Sequence, residues 1–369
     1  MSKLLKNLYN ENYINILSDN IKLNFVYFKS ENFKDSIFNN SWDEKELKQR
    51  MRHISNMLYT FLPKDYKKSI EILKNTFVKI NNKYSLENMI FQDFVEVYGL
   101  ENFEISINAL ESFTINSSSE FAIRQFILKY PNQTIAKMIL WAKSDNEHIR
   151  RLASEGCRPR LPWAIALAHY KQDPTDILPI LEILKDDESL YVRKSVANNL
   201  NDISKDNPQI LKDITKKWIG NNSKRDWILK HGCRTLLKNA DTEILEIFGF
   251  KENKYISINS FMLNKEIKMG EDLLFSFVLK STKNLGKLRI EYAIEFLRKN
   301  DRYSKKVFKI SEGIYKQKDK NITKSYSFKP ITTRKYYKGI HKLSIIVNGI
   351  VLQEDFFKLV YSTFAHRFQ

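Results

Sequence analysis

A chain of 369 residues, 43% hydrophobic and 13% aromatic, is long enough for two domains, because one core seldom grows past about 250–300 residues. Its formal charge of +18 is uneven: residues 255–369 hold 23 Lys/Arg against 10 Asp/Glu, a net of +13, and residues 1–254 only +5, which points to a polyanionic partner, nucleic acid ahead of a membrane surface. No run of about 18 apolar residues occurs, the N-terminal MSKLLKNLYNENYINIL has no apolar signal core, two cysteines and six scattered histidines make no disulfide framework or zinc spacing, and neither GxxxxGK[ST] nor HxE…PCxxC is present, so a cytosolic protein with no membrane span, metal or cofactor is expected.

In chain order, residues 1–252 read as helices. WDEKELKQRMRHISNMLYTFL places Leu47, Met51, Ile54, Leu58 and Phe61 near helical spacing, and DYKKSIEILKNTF repeats the pattern after Pro63. From about residue 100 the units SSSEFAIRQFIL, DNEHIRRLASEG, DESLYVRKSVANNL and KRDWILKHGCRTLL recur. Aligning Ile123, Ile149, Val192 and Ile228 gives offsets of 26, 43 and 36 residues, the last two near the period of HEAT-type helical pairs. Pro131, Pro174 and Pro208 fall between the predicted helices. The expected architecture is an all-α HEAT-like repeat solenoid whose concave face follows a long ligand.

The periodicity changes near residue 255. YISINSFML, LLFSFVLKST, KLRIEYAIEFL, SYSFKPI, HKLSIIV and IVLQEDFFKLV are short β-branched or aromatic runs, and Asn348-Gly349 between the last two is a type I′ hairpin signal. Six or seven strands predict an antiparallel, immunoglobulin-like β-sandwich over residues 255–369, an all-β domain that follows the helical one.

Within IRRLASEGCRPRLPWAIA, residues 149–166, Arg150, Arg151, Arg158 and Arg160 surround Glu155 and lead into Trp163. Several readings stay open for each candidate. Glu120 fits a capping box with Ser117; Glu155 fits a surface ion pair; Asp202 lies at or just past a helix end and fits a turn. Trp163 fits a core anchor at a helix start, and Arg158 and Arg160, flanking Pro159, fit a turn whose guanidiniums reach phosphates. Lys305, Lys306, Arg334, Lys335 and Lys338 form basic clusters that fit either phosphate contacts or solvated loop charge.

EFAIRQF, RRLASEGCRPRLPWA and YVRKSVANNLNDISKD resemble the signature segments of the AlkC branch of the DNA alkylation repair glycosylases, and a C-terminal immunoglobulin-like domain is similar to the one many AlkC-type proteins carry. Cys157 stands where a small hydroxyl residue is expected and Gln125 where proline is common. The resemblance implies a monomeric, monofunctional DNA glycosylase that is nucleoid-associated. Its partner would be double-stranded DNA containing 3-methyladenine, 3-methylcytosine or 1-methyladenine, with cleavage of the N-glycosidic bond without base flipping. It further implies Glu120, Glu155 and Asp202 as acidic site residues, Arg151 and Arg158 as site or phosphate contacts, and Trp163 near the lesion sugar. The chemistry is compatible: a cationic base is already a good leaving group, and the step needs negative charge beside an oxocarbenium-like sugar and a positioned water. A non-catalytic helical-repeat scaffold, or a module that binds damaged DNA without cutting it, are the competing readings.

Overall fold

The computed structural model describes residues 4–80, 82–220, 222–332 and 334–361. Among them, sixteen α-helices precede the first β-strand. They are α1 (Glu11–Asn24), α2 (Ser30–Ile37), α3 (Leu47–Phe61), α4 (Tyr66–Phe77), α5 (Met89–Tyr98), α6 (Phe103–Phe113), α7 (Ile123–Lys129), α8 (Pro131–Trp141), α9 (Glu147–Gly156), α10 (Ala168–Gln172), α11 (Leu178–Leu184), α12 (Leu190–Ile203), α13 (Pro208–Trp218), α14 (Ser223–Gly232), α15 (Arg234–Lys238) and α16 (Thr242–Ile247). None is long and apolar enough to cross a membrane. Residues 1–232 form one unit and residues 233–369 a second, so α15 and α16 belong with the strands.

The first unit is a helical repeat. α9 packs on α12 and α12 on α14, and these are the helices whose aligned aliphatics, Ile149, Val192 and Ile228, are buried. α7, which carries Ile123, packs chiefly on α6 and α8 instead, in keeping with its short offset. The position after the aliphatic is Arg150 on α9 and Arg193 on α12. Arg150 Nη1 donates to the carbonyls of Ser144 and Asp145, and Arg193 Nη1 to those of Asp187 and Glu188. Each arginine thus closes the loop that leads into its own helix. Pro131 and Pro208 are the first residues of α8 and α13 rather than inter-helix residues; there the missing N–H would be unpaired anyway and the fixed φ suits the first turn. Of Pro131, Pro174 and Pro208, Pro174 alone lies between helices.

The second unit is all-β after α16: β1 (Ile256–Leu263), β2 (Glu266–Lys268), β3 (Asp272–Ser281), β4 (Gly286–Leu297), β5 (Tyr303–Tyr315), β6 (Asp319–Ser327), β7 (Gly339–Val347) and β8 (Ile350–Val360). They make two sheets, ordered β1-β3-β6 and β2-β8-β7-β4-β5. Alternate residues of β3 (Leu273, Phe275, Phe277, Leu279) and β4 (Leu288, Ile290, Tyr292, Ile294, Phe296) fill the core, the period-2 pattern of a sandwich. Eight strands are described, not six or seven. The two unread ones are β2, three residues long and parallel to β8, and β5, an edge strand whose Lys305, Lys306 and Lys309 break the apolar alternation while protecting the edge. Asn348 and Gly349 take φ of 48° and 83° between β7 and β8, the left-handed pair a type I′ turn requires.

Candidate active site

Two stacked helices supply the floor. α9 is capped by Asn146, whose side chain accepts from His148 N, and α12 by Ser189, which accepts from Tyr191 N. These caps set the helical phase, which places Arg151 and Glu155 one turn apart on α9, and Ser195, Asn199 and Asp202 on one face of α12. At Gly156 the backbone passes so close to α7 that a Cβ would lie 2.6 Å from Ile123 Cγ2. The helix ends there, at Gly156, with Cys157 as its C-cap, and Arg158-Pro159 open the following loop.

The guanidinium of Arg158 joins two carboxylates. Nη1 donates to Glu155 Oε1 at 2.7 Å and Nε to Asp202 Oδ2 at 2.9 Å, with Nη2 2.8 Å from the same oxygen. Glu155 Oε2 accepts from Ser195 Oγ at 2.6 Å, and Asp202 Oδ1 from Lys205 Nζ at 2.9 Å. Arg151 Nη2 lies 3.4 Å from Glu120 Oε1 and 3.7 Å from Glu155 Oε1, Nη1 donates to Ser118 Oγ, and the guanidinium sits 4.7 Å from the Tyr191 ring centre. Glu120, Glu155, Asp202 and Arg158 are all less than 9% exposed. Among the described residues Glu120 Oε2 has no hydrogen-bond partner. Burial pulls the Arg158 guanidinium down, but Glu155 and Asp202 together hold it above its ordinary value.

Behind the site, Arg124 is wholly buried; Nη1 donates to the carbonyls of Gly156 and Arg158 and Nε to that of Ile165. Burial pushes it down to about 10, so it stays charged at neutral pH. It is the residue after the aligned aliphatic Ile123, the position of Arg150 and Arg193, but it reaches into the next repeat and fastens the loop of residues 158–167.

The candidate acids therefore converge, while several of their bland readings fall. Ser117 Oγ donates to Ser85 O, and Glu120 lies in the turn before α7, so no capping box joins them. Asp202 is inside the last turn of α12, 1% exposed, not in a loop. Trp163 neither anchors the core nor starts a helix: it is 72% exposed, with φ +65°. The arginines differ from expectation too. Arg158 is buried against carboxylates, not turned to phosphates, because two acids 44 and 3 residues away take its donors. Arg160 pairs with Asp206, and Arg150 with Asp187. Sequence reading missed Arg124, Ser195 and Lys205. Ser195 and Asp202 sit seven residues apart on one helix face, a spacing that marks them as neighbours once α12 is known.

Lys305, Lys306, Arg334, Lys335 and Lys338 do not all face the same way. Lys305 is exposed and sits across from Glu295, whereas Lys306 points to the opposite face, across from Ile294. Burial lowers Lys306, and so do its positive neighbours Arg334, Arg298 and Lys238. Arg334 donates to Tyr326 OH and packs over Phe296, Lys335 lies over the Tyr337 ring, and Lys338 is exposed. Lys306 thus lies in the field of Arg334, Arg298 and Lys238 and faces away from Lys305.

A helical-repeat unit followed by an immunoglobulin-like unit is the architecture of a class of DNA alkylation repair proteins. The sequence pattern of the family described as DNA alkylation repair enzyme matches residues 99–236, and that of the uncharacterised protein YhaZ C-terminal Ig-like domain matches residues 257–361. The chain is 46% identical over 349 residues to the uncharacterized protein YhaZ of Bacillus subtilis (strain 168), covering 94% of this chain and 97% of that one. It is similar to the structure of Pseudomonas fluorescens alkylpurine DNA glycosylase AlkC bound to DNA containing an abasic site analog, with a TM-score of 0.91 and 34% identity over 97% of this chain and 99% of that one. The chain belongs to the AlkC-type DNA alkylation repair family.

Proposed function

We propose that this protein is a monofunctional DNA glycosylase that hydrolyses the N-glycosidic bond of cationic N-alkylated bases in duplex DNA, among them 3-methyladenine, 3-methylcytosine and 1-methyladenine. The observation that carries this reading is the division among the three carboxylates. Glu155 and Asp202 are pinned on the Arg158 guanidinium, and Glu120 keeps one buried oxygen without a partner.

As the glycosidic bond breaks, its electron pair goes to the ring nitrogen and neutralises the base, so no general acid is required. Positive charge develops on the sugar, and the fixed carboxylates stabilise it more than the ground state. Water adds to C1′ and loses its proton to Glu120 Oε2, which has the open lone pairs to hold it. The exposed Trp163 indole lies against the deoxyribose, so the reaction proceeds without the base leaving the stack. The proximity of Arg151 to both Glu120 and Glu155 keeps three like charges tolerable in one place. Backbone affinity comes in part from the basic second unit.

The test is incubation of the protein with methylated duplex DNA and identification of the released bases by mass spectrometry. Release of 3-methyladenine or 3-methylcytosine, leaving an abasic strand that is cut only on later alkaline treatment, is expected. Chelator should leave the rate unchanged. A protein that binds such DNA and frees no base would be a scaffold, and efficient release of uracil would contradict the cationic-base mechanism.

A further inference from the structure

Trp163 poses a mechanical problem. Its backbone is held at φ +65°, a region that costs a bulky residue about 1–3 kcal/mol, and its indole is too exposed for burial to hold it. Arg124 fastens the loop at Arg158 and Ile165 from the buried side, and Leu167 N closes its neck on Pro159 O.

A different element holds the crown. Lys48, in the first turn of α3, donates from Nζ to the Trp163 carbonyl, and the same ammonium lies 5.0 Å from the Phe121 ring centre. Phe121 is the neighbour of Glu120. One side chain therefore ties α3 to the two loops that carry Glu120 and Trp163. Its base is fixed, because Glu46 N donates to Gln49 Oε1 at 2.8 Å and sets the start of the helix. Lys48, Glu120, Phe121 and Trp163 also line one cavity of about 350 Å³, whose further walls include Tyr9 and Met89.

We infer that Lys48 is a positioning residue for the reaction: it sets the Trp163 backbone and Phe121 so that the indole and the open Glu120 oxygen address the same sugar. The inference rests on the glycosylase reading. A loop displaced by about 1 Å can cost about 100-fold in rate, whereas an exposed lysine contributes little to folding.

Lys48→Met and Lys48→Arg are compared with wild type in the full chain, alone and combined with Trp163→Ala. Readouts are single-turnover base release at saturating enzyme, affinity and salt slope on DNA with an abasic-site analogue, and thermal midpoint. We expect K48M to lower the rate by about 10- to 100-fold with affinity and midpoint nearly unchanged, K48R to recover most of it, and the K48M loss to shrink once the indole is gone, leaving only the part that acts through Phe121 on Glu120. A K48M rate equal to wild type, a loss fully additive with W163A, or a loss explained by weaker binding with a shallower salt slope would overturn the proposal; the last would make Lys48 a phosphate contact. Should wild type release no base, the glycosylase reading falls and takes this role with it. The tie itself is read separately, as the change K48M makes in Trp163 emission, taken as the difference from W163F.

Discussion

Arg158 gathers Glu155 and Asp202 on one guanidinium, and this explains how a cluster of buried acids survives folding. Alone, each carboxylate would lose its hydration without compensation; bridged, each keeps charge-assisted bonds. Changing Arg158→Met leaves two buried anions facing each other, and chemical denaturation should show a loss of about 3–5 kcal/mol, the usual effect of breaking a buried pair. The amide variants separate chemistry from folding. Glu120→Gln, Glu155→Gln and Asp202→Asn should each lower base release on the order of 100-fold, while affinity for DNA holds or rises because a phosphate-repelling charge is gone. Near-wild-type turnover in E120Q would show that water is held elsewhere. Turnover unimpaired in all three would dissolve the site.

Among the elements, the repeat is most informative where it deviates. The arginine after the aligned aliphatic seals the loop of its own repeat at Arg150 and Arg193, yet at Arg124 it fastens the next repeat's loop, the one bearing Arg158 and Trp163. The strands have a comparable fixed point in His341 on β7, fully buried, with Nδ1 accepting from Leu297 N and Nε2 donating to Tyr337 O. Burial lowers its pKa below 6.5. As pH falls through about 6.5 the unfolded chain takes up a proton that the folded strand refuses. Stability of this unit should therefore decline on acidification, down to the lowered folded pKa. Hydrogen exchange on β4 and β7 at pH 7.5 and 5.5 should show this decline, and His341→Gln should be less stable at pH 7.5 and less sensitive to the change. Equal pH sensitivity in the variant would clear His341 of the effect.

For the molecule as a whole, charge separates the two units: the strands and their turns carry most of the excess. Binding isotherms on duplex DNA at several salt concentrations test whether that excess meets phosphate. Lys306→Ala and Lys338→Ala should each reduce the slope of log affinity against log salt by roughly 0.9, without changing the rate of base release at saturating protein. Slopes unchanged in the double variant would assign the basic unit another partner.

The order of these units was legible in the chain because helix and strand periods are local: Leu47, Ile54 and Leu58 need only their own turns, and Asn348-Gly349 needs only its own dihedral preference. The resemblance carried by EFAIRQF, RRLASEGCRPRLPWA and YVRKSVANNLNDISKD also pointed to the acids. The same local reading passed over β5, because an edge strand loaded with lysine no longer alternates, and it turned Arg158 toward phosphate, because nothing nearby along the chain shows what its guanidinium will meet. Its partner Asp202 lies 44 residues away and Ser195 lies 40 from Glu155. Only the stacking of α9 on α12 brings such residues within 3 Å, and only the tertiary approach of the turn before α7 to Arg151 leaves Glu120 Oε2 without a partner among the described residues. Trp163 was unreadable for the same reason. An indole is ordinarily buried, and it stays outside here because the loop beneath it is held by Arg124 and Lys48, from helices well before it in the chain.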